Sequence, residues 1–69
     1  MIKFENKVNG RYYYLEHIKD LFNAHTLIIH RGGANYHTRI NRAFDTLDKI
    51  SAEINRLTKA RLRRGYELI

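Results

Sequence analysis

The stretch from Leu47 to Tyr66 reads as one amphipathic helix, and it limits the fold more than any other part of the sequence. Its apolar positions recur at spacings of three, four and three residues, on one side of a helix: Leu47, Ile50, Ile54 and Leu57. An apolar stripe of this kind has to be buried against another layer of structure. The residues before the helix must therefore supply that layer.

Both ends of this helix carry sequence signals. Asp45 is the predicted N-cap, which places Asp48 in the first turn, where a negative charge suits the helix dipole. Gly65 follows the last helical turn, and a glycine at this position commonly ends a helix. We expect Tyr66 and Leu68 to fold back toward the core.

Four segments before the helix have strand character. Ile2–Glu5 and Tyr36–Phe44 alternate between apolar and polar residues, Arg11–Lys19 is rich in tyrosine, and Thr26–His30 holds two consecutive isoleucines. The order β-β-β-β-α predicts an α+β fold, a four-stranded antiparallel sheet with one face covered by the single C-terminal helix. The other face is expected to be open to water or to a partner.

Three segments rich in turn-forming residues separate the strands: Asn6–Gly10, Asp20–Ala24 and Arg31–Gly33. Asn9-Gly10 is a strong hairpin dipeptide, and Asp20 and Asn23 are turn formers. Leu21 and Phe22 are expected to tuck under their turn. The adjacent glycines 32 and 33 permit a positive φ or a close approach of the backbone to another group.

Length and composition restrict the class of protein. A chain of 69 residues forms one domain, and without cysteine it has neither a disulfide nor a zinc–thiolate site to stabilise a small core. The hydrophobic content of 43% argues against disorder, and no run of 18 apolar residues indicates a membrane span. We expect a soluble, cytoplasmic protein.

The net charge of +6 is concentrated in the second half of the sequence, since residues 31–69 carry nine Lys/Arg and four Asp/Glu. Between Arg56 and Arg64 there are five basic residues and no acid. With Arg31, Arg39 and Arg42 on the third and fourth strands, this distribution indicates a polyanion partner. A charge that serves only solubility is the alternative, and part of the bias complements the helix dipole.

The sequence offers no set of residues for catalysis. Ser51 is the only serine, it has no neighbouring histidine, and the seven acids are scattered, so we expect no enzyme activity. The four histidines match no metal-ligand spacing, and we expect neither a metal nor a cofactor: His17, His25, His30 and His37. His30 and His37 flank the glycines and are expected to lie near each other.

Consecutive tyrosines at positions 12, 13 and 14 leave two interpretations open. At least one of them is expected to pack in the core, and the others either pack across strands or form an exposed surface on which bases stack.

Several short motifs follow one another along about residues 3–66: Tyr12-Tyr13, Asp20-Leu21-Phe22, Leu27, the turn at Gly32, Arg39, Phe44-Asp45 and Arg63-Arg64-Gly65-Tyr66. In order and spacing they resemble the WGR domain, a small module of one sheet and one helix known from poly(ADP-ribose) polymerases and many bacterial proteins. The name-giving motif is altered, because Arg31 stands at the tryptophan position and Gly33 at the arginine position. His25 replaces a second common tryptophan.

The resemblance implies nucleic-acid binding, especially to duplex ends that carry a 5′-phosphate, and DNA more than RNA. By the resemblance, Asn9 and Arg11 match hairpin positions that approach DNA, and Arg39 and Tyr66 match positions near the phosphate. Together with the charge pattern, it predicts a non-catalytic nucleic-acid-binding domain with these contact residues: Asn9, Arg11, Arg31, Gly32, Gly33, Arg39, Arg56, Lys59, Arg63, Arg64 and Tyr66. The alternative is a module for dimerisation or protein interaction that has lost DNA binding. An anionic membrane surface is disfavoured, because the apolar stripe of the helix is needed by its own core.

Overall fold

The computed structural model describes residues 1–22 and 24–69, and these form five strands and one helix. The elements in chain order are β1 (Ile2–Asn6), β2 (Arg11–Lys19), β3 (His25–Gly32), β4 (His37–Phe44), α1 (Leu47–Arg63) and β5 (Glu67–Leu68). Asn23, predicted to be a turn former, lies outside the described residues.

The strands form one antiparallel sheet in the order β4-β3-β2-β1-β5. The predicted α+β fold, with a sheet and a single helix near its C-terminal end, is confirmed. The short fifth strand was not predicted as a strand. It returns from the helix to pair with β1, with Leu68 opposite Phe4.

The core lies between α1 and the sheet. Its buried residues come from every long element except β4: Phe4, Tyr13, Leu15, Leu27, Ile29, Ile50 and Leu57. Ile40, Phe44, Ile54 and Tyr66 pack against this cluster and are partly buried. The helical stripe is thus correct at positions 50, 54 and 57. Leu47, in the first turn, is 55% exposed, so its predicted place in the core is wrong; Phe44 packs at this end of the core instead.

The helix begins at Leu47 as predicted, but its N-cap lies one residue later than predicted. Thr46 and not Asp45 is the N-cap, because the Thr46 hydroxyl accepts a hydrogen bond from the Lys49 backbone N–H at 3.2 Å. The Asp45 carboxylate is instead paired with the Lys49 side chain at 3.1 Å, and this partner lowers the pKa of Asp45.

At its C-terminus the helix ends as predicted, with Gly65 at a φ of 87°. The Gly65 N–H donates to the carbonyl of Leu62, and the Tyr66 N–H donates to the carbonyl of Arg61. This pair of hydrogen bonds is a Schellman motif, which reverses the chain and directs Tyr66 back toward the helix and the sheet.

The third strand is longer than predicted. It continues through Arg31 and Gly32, which pair with β2 and β4, so the turn begins only at Gly33. Neither glycine 32 nor glycine 33 has a positive φ. Gly32 is required for close approach, because a Cβ there would lie 2.3 Å from the Tyr36 carbonyl oxygen and 2.8 Å from the Tyr12 hydroxyl.

The turn between β2 and β3 does not bury its apolar residues. Leu21 and Phe22 are 96% and 88% exposed, so the expectation that they tuck under the turn is wrong. The turn is held by polar contacts instead: an Asp20 carboxylate oxygen accepts hydrogen bonds from the backbone N–H groups of Phe22 and Ala24. No apolar cover is needed to fix such a turn.

The helix covers one face of the sheet and leaves the other uncovered. Register places Tyr13 with Phe4 on the covered face, and Tyr12 and Tyr14 on the uncovered one. We call this second face the open face. Among the described residues no helix is both long and apolar enough to cross a membrane.

Candidate functional site

A groove of about 390 Å³ lies where the C-terminal end of α1 meets the β1–β2 hairpin and the end of β3. We call it the basic groove. Four arginines line it, and among the described residues no acid does: Arg11, Arg31, Arg61 and Arg64. These residues come from β2, β3 and the end of the helix, so the fold assembles charges that are far apart in the sequence.

The groove also has an aromatic and polar lining. Tyr12, Tyr13, Tyr36 and Tyr66 supply rings, and Asn6, Asn9, Thr38 and Gly32 complete the walls. Arginine forks and aromatic faces together suit ligands that carry oxyanions on a planar or ring-shaped body.

Arg61 occupies a central position in this lining. Its guanidinium carbon lies 4.3 Å from the centroid of the Tyr13 ring and 5.4 Å from that of Tyr66. The Arg61 Nε is buried and has no hydrogen-bond partner among the described residues. The Schellman motif causes this arrangement, since it brings Tyr66 back over the last turn of the helix.

Asn6 connects the hairpin to the end of the helix. Its side-chain nitrogen donates to the Arg64 carbonyl at 3.4 Å, while its side-chain oxygen accepts from the N–H groups of Val8 and Asn9. The Asn9 side chain in turn accepts from the Arg11 N–H at 3.0 Å. This series of hydrogen bonds fixes the hairpin wall of the groove relative to its helix wall.

The acidic residue that pairs with arginines lies outside the groove. Glu53 accepts hydrogen bonds from Arg56 on the helix and from Arg42 on β4, and these partners lower the pKa of Glu53 to about 2. The groove arginines form no ion pair with any residue in the described part of the chain. Their charges are therefore available to a ligand, whereas those of Arg42 and Arg56 are partly neutralised.

The structure brings six of the eleven predicted contact residues to the groove: Asn9, Arg11, Arg31, Gly32, Arg64 and Tyr66. The other five do not line it. Gly33 lies in the β3–β4 turn, Arg39 is on the open face, and Arg56, Lys59 and Arg63 are exposed on the helix.

Sequence reasoning did not select Arg61, Asn6 or Thr38 as contact residues. Arg61 had a signal: it follows Leu57 by four residues and Ile54 by seven, which extends the core-facing stripe of the helix to a charged residue. Asn6 and Thr38 had none, because their positions depend on strand register and on how the hairpin meets the helix.

The histidines form two separate pairs. His17 and His25 share a hydrogen bond of 2.9 Å between Nε2 and Nδ1, and the rings of His30 and His37 lie 5.9 Å apart, as expected from their positions beside the glycines. Within the described ranges, no group of three or more His, Cys, Asp or Glu side chains is placed to hold a metal ion.

On the open face, four rings form a connected set that we call the ring cluster: Tyr12, Tyr14, His30 and His37. Tyr12 belongs to both the cluster and the groove, because Gly32 beside it has no side chain and leaves the end of the sheet uncovered. The two surfaces are therefore continuous around this end of the sheet.

Comparisons of the chain with protein-family models, with curated proteins and with solved structures give no match.

Proposed function

We propose that this protein is a non-catalytic nucleic-acid-binding domain that holds phosphate groups in the basic groove. The observation that carries the proposal is the convergence of Arg11, Arg31, Arg61 and Arg64 on one concave surface whose described lining contains no acid. A groove with four uncompensated positive charges favours an anion with several negative groups over a neutral ligand.

The type of cation narrows the ligand further. All four charged groups of the groove are arginines, whose planar forks donate two parallel hydrogen bonds to phosphate oxygens. Tyrosine rings beside them can pack against sugars or bases, as in other nucleic-acid-binding surfaces. A small inorganic anion would use the charges but not the rings.

The resemblance to WGR domains supports the same surface in part. Among the positions that match that family near DNA or in the name-giving motif, Asn9, Arg11, Arg31, Gly32 and Tyr66 line the groove, whereas Gly33 and Arg39 do not. This support favours DNA over RNA. We place such a domain in the cytoplasm, which suits a chain without cysteine.

Fluorescence anisotropy with short labelled oligonucleotides at low salt tests the proposal. Two variants that each remove two unpaired positive charges should be compared: Arg31→Gln with Arg64→Gln in the groove, and Lys59→Gln with Arg63→Gln on the exposed helix. We expect the groove variant to bind at least about tenfold more weakly. Its log K against log salt should be less steep by about 0.7–0.9 for each phosphate group that the protein no longer neutralises.

The helix variant is the matched control, and it should lose less affinity than the groove variant at the same ionic strength. Equal losses would indicate attraction by net charge without a defined site. If the unaltered protein binds no single-stranded, duplex or 5′-phosphorylated oligonucleotide at low salt, the proposal is wrong.

A second function, docking on a partner protein, is favoured by one observation. Leu21 and Phe22 form an exposed apolar tip on the β2–β3 turn, at the opposite end of β3 from the groove. The edge of β4, by contrast, carries Arg39 and Arg42, and such charges oppose pairing of edge strands. Light scattering distinguishes the two: a concentration-dependent dimer that is lost in Phe22→Ser and is unaffected by DNA would favour protein interaction.

A further inference from the structure

The ring cluster lies immediately beside the basic groove but belongs to the other face of the sheet. Tyr14 contacts Tyr12 with ring centroids 5.0 Å apart, Tyr12 contacts His37 at 5.9 Å, and His37 contacts His30 at 5.9 Å. Neighbouring ring planes are tilted by only 24–40°. Four rings on three strands thus form one continuous aromatic surface that the helix does not cover.

Gly32 makes this surface possible. In the strand register it lies between Tyr12 and His37, one strand to either side, and with no side chain it lets the two rings meet above it. A hydrogen bond between the Tyr12 hydroxyl and Nδ1 of His37 fixes both rings. Rings held in place before a ligand arrives lose less conformational entropy on binding.

We infer that the ring cluster stacks an unpaired nucleobase of a single strand whose phosphate lies in the basic groove. The inference rests on the proposed function and adds the ligand class, a nucleic acid with at least one unpaired nucleotide. Every base has a flat π-face, so stacking on tyrosine and histidine rings does not depend on sequence. Bases inside a duplex are already stacked and do not present their faces to such a surface.

The charges nearest the groove favour one direction for the strand. Glu5 lies opposite Tyr12 on β1, and Glu16 lies 3.5 Å from His30. Farther from the groove, Lys3 on β1 lies opposite Tyr14, with its Nζ 5.4 Å from the ring centroid. Arg39 lies directly opposite His30 on β4. A nucleic-acid strand that leaves the groove passes over Gly32 and His37 toward β4, where Arg39 binds its next phosphate.

The test compares two single strands of equal charge, an eight-residue oligothymidylate and an eight-residue strand of the same backbone that lacks bases. The affinity for the abasic strand reports the groove alone, and the ratio of the two affinities reports stacking. We expect the strand with bases to bind at least about fivefold more tightly.

Two variants of the ring cluster, His37→Thr and Tyr14→Leu, should lower the affinity for oligothymidylate toward that for the abasic strand and leave the abasic affinity unchanged. Ile18→Thr is the control, since Ile18 lies on the same face at the far end of β2. His37 is exposed at the start of β4, so its replacement keeps the test valid if Tyr14→Leu fails to fold. Circular dichroism checks folding.

The outcomes separate the two proposals. Equal binding of the two strands, or no effect of either ring-cluster variant, overturns stacking on the open face while the groove proposal stands. Absence of binding to both strands at low salt overturns the groove proposal, and the inference falls with it.

Discussion

Arg61 packs against two aromatic rings that contact each other edge to face, with its guanidinium carbon 4.3 Å from the centroid of Tyr13 and 5.4 Å from that of Tyr66. The residue lies on the core-facing side of the helix, where the next position of the apolar stripe would be. Its hydrocarbon stem therefore packs beside the core residues, while its guanidinium group lines the groove.

Arg61→Leu should separate binding from stability. We expect the free energy of unfolding to change by less than about 1 kcal/mol, because the absence of the cation–π interactions is offset by removal of a buried donor without a partner in the described chain. Affinity for a phosphorylated oligonucleotide should fall at least about tenfold, as the variant cannot form a charged hydrogen bond to phosphate. Urea unfolding and anisotropy measure the two quantities.

Lys59→Leu is the control for Arg61→Leu, since it removes the same charge from an exposed helix position outside the groove. Its effect on affinity should be clearly smaller. If Arg61→Leu is strongly destabilised but its folded fraction binds the oligonucleotide normally, Arg61 contributes to the core and not to binding.

Gly65→Ala tests the link between the helix end and the groove. Gly65 has a φ of 87°, and a Cβ there would meet only Asn6 Nδ2, at 3.7 Å, so backbone strain is the main cost. We expect a loss of about 1–2 kcal/mol in stability. Affinity should also fall, because a distorted Schellman motif moves Tyr66 and Arg64.

Gly65→Asn supplies the comparison for this prediction, since asparagine adopts the left-handed conformation more readily than alanine. It should be less destabilising than Gly65→Ala in thermal unfolding followed by circular dichroism. Equal melting temperatures for the two variants would mean that the positive φ of Gly65 is not the cause of the destabilisation.

Much of the fold could be predicted because it follows from local patterns. The spacing of Ile50, Ile54 and Leu57 indicates a helix with one buried side, and the four strand patterns indicate the sheet. The two-residue strand β5 could not be predicted, since it carries no periodicity and exists only because the Schellman motif returns the chain to β1. The prediction that Leu21 and Phe22 are buried failed for a related reason, because hydrophobicity alone does not show whether a turn packs against the sheet.

The site was predictable only in part. Charge and glycine patterns led to Arg31, Gly32 and Arg64. The alternation of residues 36–44 predicts Arg39 on the face opposite Ile40 and Phe44, and the strand register confirms it. Arg39 was nevertheless selected as a contact residue, because the resemblance matches it to a position near the phosphate. The basic run on the helix also misled, because Arg56, Lys59 and Arg63 lie outside the groove.

The two glycines of the β3 end should respond differently to alanine. At Gly32 an added Cβ would lie 2.3 Å from the Tyr36 carbonyl oxygen, so the backbone has to shift, and we expect a loss of about 1–3 kcal/mol. At Gly33 the nearest atoms belong to the side chains of Tyr36, at 3.2 Å, and Arg11, at 3.7 Å, which can move. Gly33→Ala should cost less than about 1 kcal/mol, since reduced freedom of the unfolded chain offsets the contact.

Urea unfolding of the two alanine variants checks this difference. Near-identical losses at both positions would contradict the close approach of Gly32 to Tyr36 and Tyr12. Because Gly32 also lets the Tyr12 and His37 rings meet, Gly32→Ala should weaken oligothymidylate binding even where the protein remains folded.

Glu53 gives the protein a predictable sensitivity to acid. Hydrogen bonds from Arg56 and Arg42 lower its pKa from 4.5 to about 2, although burial acts in the opposite direction. The pKa of Glu53 is lower in the folded state than in the unfolded state, so the ionised carboxylate stabilises the fold. This stabilisation is fully present above about pH 4.5 and is lost as the pH falls toward 2. Both arginines are partly exposed, so solvent screening reduces the contribution to about 1–2 kcal/mol.

Urea unfolding of the native protein and of Glu53→Gln at pH 6 and pH 2.5 measures this contribution. The variant should be less stable at pH 6, where the native carboxylate is charged and paired, and the two proteins should approach each other at pH 2.5. Asp45, which is exposed and paired with Lys49, acts in the same direction in both proteins and so cancels in the comparison. A constant difference in stability between the two proteins at both pH values would show that the pKa of Glu53 is the same in the folded and unfolded states, so that Arg42 and Arg56 do not stabilise its charge and are as free to bind anions as the arginines of the groove.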